Sequence, residues 1–144
     1  MQTAPERRLA TADLIDKLKH ERHEVWAMYC RLAELKPFTA NHEVRRKLAE
    51  FSQLLVDYVS FWHFCVDDRL LTGSERRQAV LAILSEMYPK LTETTDAAIV
   101  FNDKYEHADT GLTPFGLLRD LSVLGENLAI RMDLEDRLCR LLMS

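Results

Sequence analysis

His20 and Glu24 stand four residues apart, a spacing that puts an imidazole and a carboxylate on one face of a helix. Such a pair could share a metal ion, but no second pair answers it. Di-metal centres in helical bundles use Glu-x-x-His on two helices, and no glutamate here is followed by histidine three positions later. His-Glu occurs at His23-Glu24 and His42-Glu43, and neither extends to the His-Glu-x-x-His of zinc proteases. Cys30, Cys65 and Cys139 are odd in number, far apart and match no metal spacing. They predict reduced, mostly buried thiols in a cytosolic protein.

Nucleophilic catalysis needs a serine or cysteine facing a base. Ser60-x-x-His63 and His63-x-Cys65 occur, but close neighbours along one helix make a poor facing pair, and His63 reads as a packing or hydrogen-bonding histidine. The four glycines stand singly at Gly73, Gly111, Gly116 and Gly125, so no phosphate-binding loop is present. The expectation is a protein that is not an enzyme and needs neither metal nor organic cofactor.

What remains is surface. Formal net charge is −4, which argues against a basic nucleic-acid footprint and so against direct nucleic-acid binding. The acidity is concentrated between Glu93 and Asp109, where Glu93, Asp96, Asp103, Glu106 and Asp109 face Lys104 alone. Such a run is either a solvated helix face or a surface for a basic partner. No segment approaches the ~18 uninterrupted apolar residues that span a bilayer, and the polar stretch Met1 to Arg8 does not read as a secretory signal.

The elements that carry these residues are helices. With 144 residues, 47% of them hydrophobic, and only four glycines and four prolines, the chain favours few, long elements in one domain over residues 1–144. The first helix is expected from about Ala12, capped by Thr11, to Leu35. Leu14, Leu18, Val25, Met28 and Leu32 form its stripe, and the missing step at Glu21 and Arg22 puts charge in or beside the seam. Lys36-Pro37 ends it, and Phe38 to Asn41 make a turn. The second is expected from His42 to Leu71, with Gly73 as C-cap. Ser74 caps the third, whose Val80, Leu84, Met87, Leu91, Thr94, Ala98, Phe101 and Tyr105 step by four and three; Pro89 predicts a kink. Asp109, Thr110 and Gly111 mark a turn, and Thr113-Pro114 opens the last helix. Its stripe is Leu117, Leu121, Leu124 and Leu128, then Leu134, Leu138 and Leu141. The fold class is all-α, an antiparallel four-helix bundle.

The second helix has too many apolar faces. Phe51, Leu55, Tyr58, Trp62 and Cys65 fall on one arc, a sensible core face. Gln53, Asp57, Ser60, Phe64 and Leu71 lie almost opposite, with Phe61 at the edge. Either this helix is central and covered on all sides, which would bury Asp57 and require it to be paired, or the second arc is a mixed aromatic and acidic surface that binds a protein.

Four collinear segments resemble the Rsd/AlgQ family, regulators of the bacterial primary sigma factor. Phe51-Ser-Gln53-Leu-Leu-Val-Asp57-Tyr58-Val-Ser60-Phe-Trp-His63-Phe64 is similar to the family's central helix, and Leu14-Ile-Asp16-Lys-Leu-Lys-His20-Glu-Arg22 to its first. Tyr88-Pro89-Lys-Leu91 looks like its aromatic-Pro-x-Leu element. Leu121-Ser122-Val-Leu-Gly125-Glu126-Asn-Leu128-Ala-Ile-Arg131, with Leu134-Glu135-Asp136-Arg137-Leu138, resembles its last helix. The chain departs from the family at Asp67-Asp68, where an aromatic-Glu pair is usual, and at Ser144, before the expected C-terminal tail.

The resemblance implies an anti-sigma factor in the cytoplasm, associated with stationary phase and monomeric when free. Its partner would be region 4 of the primary sigma factor, which reads the −35 promoter element, so that alternative sigma factors gain. The family's sigma-contacting Asp, Ser and Phe fall on Asp57, Ser60 and Phe64, with Phe61 beside them. Sigma region 4 is a basic helix-turn-helix module, which an acidic surface with apolar anchors complements. The alternatives are a bundle that regulates a different protein, such as a stress-signalling enzyme or a phosphocarrier, and a metal-binding bundle enzyme.

Overall fold

Thr3-Ala-Pro5-Glu6 starts the first helix. The Thr3 hydroxyl accepts from the Glu6 backbone N–H at 3.3 Å while the Glu6 carboxylate accepts from the Thr3 N–H at 2.9 Å, a reciprocal cap with proline in the first turn. In this computed structural model, which describes residues 3–38, 41–67, 78–106 and 113–143, α1 therefore runs Ala4–Ala33. It begins well before the expected Thr11 cap, and Thr11 is instead a buried position inside the helix. The box three residues from the chain start is the stronger signal because it satisfies two orphan donors at once.

After the turn at Lys36-Pro37, the Asn41 side chain accepts from Val44 N–H at 2.9 Å and opens α2, His42–Trp62. The chain then winds more loosely as a short π-helix over His63–Asp67. That extra residue per turn rotates Cys65 off the core arc, so it is only half-buried, whereas Phe51, Leu55, Tyr58 and Trp62 are buried as expected. The expectations for Leu71, Gly73, Ser74, Asp109, Thr110 and Gly111 lie outside the described residues. α3 runs Gln78–Tyr105 with Pro89 inside it, and all eight of its seam residues from Val80 to Tyr105 are buried. Thr113 caps α4, Pro114–Met143, by accepting from Gly116 N–H at 3.1 Å.

Paired contacts give the topology. Tyr29 meets Phe51 (ring centroids 6.0 Å) and Lys17 meets Phe61, so α1 and α2 are antiparallel. Phe51 meets Phe101 edge-on at 5.7 Å across α2 and α3. Lys104 pairs with Asp120 at 2.7 Å, and Arg131 reaches Thr95, so α3 and α4 are antiparallel. The circuit closes between α4 and α1 through Arg8 to the Met143 carbonyl, Arg22 to Asp136, and Tyr29 to the Leu121 carbonyl. The four helices thus form the expected antiparallel bundle, and the described residues contain no strand. No described helix is long and apolar enough to cross a membrane.

Two expectations about the interior need correction. The cysteines are not mostly buried: Cys30 is exposed, Cys65 half-buried and only Cys139 buried. The α4 seam does not pass from Leu128 to Leu134 and Leu141, which are half-buried. It continues by threes and fours through Arg131, Glu135, Leu138 and Leu142. A buried charge is normally too costly for such a position, and here it is tolerated because the two charges pair.

Candidate functional site: a groove between the second and third helices

On α2 the second arc is open. Phe64 is 71% exposed and Asp57 is exposed, its carboxylate accepting from Gln53 Nε2 at 3.0 Å one turn back. The helix is therefore not covered on all sides, and Asp57 is not a buried carboxylate in need of a partner. Phe61 turns the other way: it packs half-buried against the core, with Lys17 Nζ 4.7 Å from its ring centroid. Ser60 is half-buried.

Ser60 and Phe64 form one side of a groove of about 560 Å³ between α2 and α3. Val56, Val59, Trp62 and His63 line the same side; Tyr88, Thr92, Asp96 and Ile99 face them from α3. Tyr88 and Ile99 are, like Phe64, large apolar groups left in water, so the groove is rimmed by an aromatic and aliphatic patch with Asp96 in it and Asp57 beside it. Asp57 and Phe61 do not line the groove. Of the four expected contact residues, Ser60 and Phe64 line the groove, Asp57 is exposed outside it, and Phe61 lies on the α1 side. Of the acidic run, Glu93, Asp96, Asp103 and Glu106 are all exposed.

Beneath the groove lies a polar network. Arg131 lines the groove yet is only 3% exposed. Its Nε donates to Glu135 at 3.0 Å, and its Nη1 donates to Thr95 at 2.6 Å and Thr94 at 3.2 Å. The Tyr58 hydroxyl donates to both oxygens of the Glu135 carboxylate, and the Arg131 guanidinium lies 5.5 Å from the Tyr58 ring centroid. Arg22, the charge anticipated beside the α1 seam, donates to Asp136 at 2.7 Å and stands 3.7 Å from Glu135. Burial pushes the Glu135 carboxyl up to about 7, against the pull of Arg131, Tyr58 and Arg22. The same burial, with Glu135 alongside, holds the Tyr58 phenol well above its ordinary range. Sequence reasoning missed Arg131, Glu135 and the α3 wall of the groove. The signal was available, since Arg131 and Glu135 continue the step of Leu121, Leu124 and Leu128.

The described residues hold no cluster of three or more histidine, cysteine or carboxylate groups that could bind a metal. The arrangement is one of recognition: apolar groups in water, flanking acids, and a braced helix underneath. Comparison with known proteins decides the family. Residues 1–143 match the family described as "Regulator of RNA polymerase sigma(70) subunit, Rsd/AlgQ". The chain belongs to the Rsd/AlgQ family. Among its relatives is a protein named "Regulator of sigma D" from Yersinia enterocolitica, 34% identical over 88% of this chain and 78% of the relative. The protein of that name from Yersinia pseudotuberculosis is 33% identical over 88% and 77%, and the one from an Enterobacter species is 30% identical over 98% and 87%. No solved structure matches the chain. Rsd/AlgQ proteins are thus regulators by description, and the groove is one place where this member leaves apolar side chains, Phe64, Tyr88 and Ile99, together in water.

Proposed function

We propose that the protein is an anti-sigma factor that binds region 4 of the primary sigma factor in the cytoplasm and lowers housekeeping transcription. Asp57, Ser60 and Phe64 stand at the centre of contact and Phe61 at its edge. The observation that carries this reading is Phe64. It is 71% exposed and shares one groove with exposed Tyr88 and Ile99, a contiguous apolar patch rather than a scattered side chain. Its neighbours suit a basic helical module: Asp57 is free to meet an arginine or lysine, Ser60 is small enough for close approach, and Asp96 adds charge across the groove. The family supplies the partner class, because relatives along most of the chain are named for sigma regulation.

The test is a titration of the free monomer with intact primary sigma factor and with isolated region 4. A one-to-one complex with both is expected, weakened by Asp57→Ala and by Phe64→Ala. Absence of a complex with either would overturn the reading. A pull-down from lysate dominated by another protein would turn it into regulation of that partner instead.

A further inference from the structure

The groove has a floor that the partner surface does not require. Among the described residues, Trp62 Nε1 is buried with no hydrogen-bond partner, and the Trp62 side chain, 3% exposed, lines the groove. Arg131 lines it too, and its bonds to the protein all run from Nε and Nη1, which leaves Nη2 donating to none of the described residues. Both groups can only donate. A buried donor is normally satisfied, and a lone unsatisfied one costs about 1–3 kcal/mol, so the Trp62 indole calls for an acceptor, and the Arg131 guanidinium in the same lining offers it a charged second donor. Above them the walls are Val59, Leu91, Ile99 and Phe64. A volume of about 560 Å³, mostly apolar with a few convergent polar groups, has the character of a small-molecule site.

We propose that the groove binds a small carboxylic acid with an apolar tail, carboxylate inward against Arg131 and Trp62. A carboxylate accepts only, carries the charge that strengthens a bond from guanidinium, and offers two oxygens for two donors. An alcohol lacks the charge that strengthens a bond from guanidinium, and an amine brings a like charge to it. Asp96 also lines the groove, but it is exposed to water, where its repulsion of a buried carboxylate is screened. Because Ser60 and Phe64 line the same groove, a bound acid would compete with the protein partner; this last clause rests on the anti-sigma reading.

The experiment uses decanoate below its micellar range and the Trp26→Phe variant of the whole chain. Trp26 is the other of the two tryptophans and lies outside the groove, so emission then reports Trp62 alone. Expected are a saturable one-site change with decanoate, at least tenfold weaker binding of decanol, and at least tenfold weaker decanoate binding in Ile99→Glu. Ile99 is 44% exposed, so that variant keeps its fold, which circular dichroism verifies; Val100→Glu, exposed outside the groove, leaves binding unchanged. No saturation, equal binding of decanol and decanoate, or full binding by Ile99→Glu would each overturn the site. Release of bound sigma factor by decanoate supports the shared surface. Decanoate binding without release keeps the acid site and removes Ser60 and Phe64 from the partner surface.

Discussion

Arg131 and Glu135 hold opposite charges at a depth where neither alone would be tolerated, and the pair makes stability depend on pH. Glu135, driven by burial to about 7 from an ordinary 4.5, holds its proton more tightly in the folded chain than in the unfolded one. Its contribution is therefore present below about 4.5 and lost as pH rises through about 7. Asp120 works in the opposite sense. Partial burial pushes its carboxyl up, but hydrogen bonds from Lys104 and Tyr105 outweigh that and hold it low, so its contribution is lost only as acid protonates it. Between pH 5 and 8 the Glu135 effect prevails. Urea unfolding should show the wild type losing on the order of 1–3 kcal/mol more over that interval than Glu135→Gln does. Equal slopes would show that Glu135 is ionised throughout. Two aromatic residues, Trp62 at the end of α2 and Phe64 in the π-helix after it, separate binding from folding at the same scale. Phe64→Ala and Asp57→Ala should each weaken sigma binding by roughly 1–4 kcal/mol and leave the melting curve nearly unmoved. Trp62→Ala, a core truncation, should cost roughly 3–5 kcal/mol of stability. A Phe64→Ala protein that unfolds early yet binds normally when folded would refute the assignment.

Single helices were legible wherever one rule governed them. The eight-residue seam of α3 is buried without exception because every step is apolar or small, and Thr113-Pro114 and Asn41 cap as their types dictate. The start of α1 was misplaced because a hydrophobic stripe marks where packing begins, whereas the helix begins where the cap at Thr3 satisfies its free N–H groups. The groove was half legible. Periodicity exposes the α2 wall, but which α3 residues face it depends on how two helices meet, and no single helix encodes that. Gly125 shows the same limit. It stands where a Cβ would lie 2.3 Å from the Tyr29 hydroxyl and 3.0 Å from its ring, so its absence lets Tyr29 cross α4, bond the Leu121 carbonyl and stack on Trp26. Gly125→Ala gains about 1 kcal/mol of helix propensity and loses that seat. We expect net destabilisation of about 1 kcal/mol in the wild type but stabilisation by about 1 kcal/mol in a Tyr29→Ala background, read from denaturant midpoints. The same sign in both backgrounds would mean that Tyr29 relocates freely.

At the scale of the molecule, a net charge of −4, with Asp96 in the groove and Asp57 exposed on α2, should steer a basic partner. Screening lengths of about 8–10 Å near physiological salt reach across such a surface, so the on-rate for sigma factor should fall severalfold between about 0.01 and 0.15 M salt while the off-rate changes less. Stopped-flow traces that superimpose across that range would make the acidity incidental. The buried network also bears on the order of assembly. Arg131 takes its acceptors from α3 and α4 and lies over the Tyr58 ring of α2, so three helices share one set of polar bonds. A half-built bundle lacking any of the three would strand a charge or a phenol in apolar surroundings, which disfavours partial structures more than lost packing alone. Amide hydrogens of Tyr58, Thr94 and Leu138 should therefore exchange with one common, global opening free energy, while the first turns of α1, closed by surface contacts, exchange sooner. Exchange of the α3 amides well ahead of those in α4 would mean that the bundle comes apart one helix at a time.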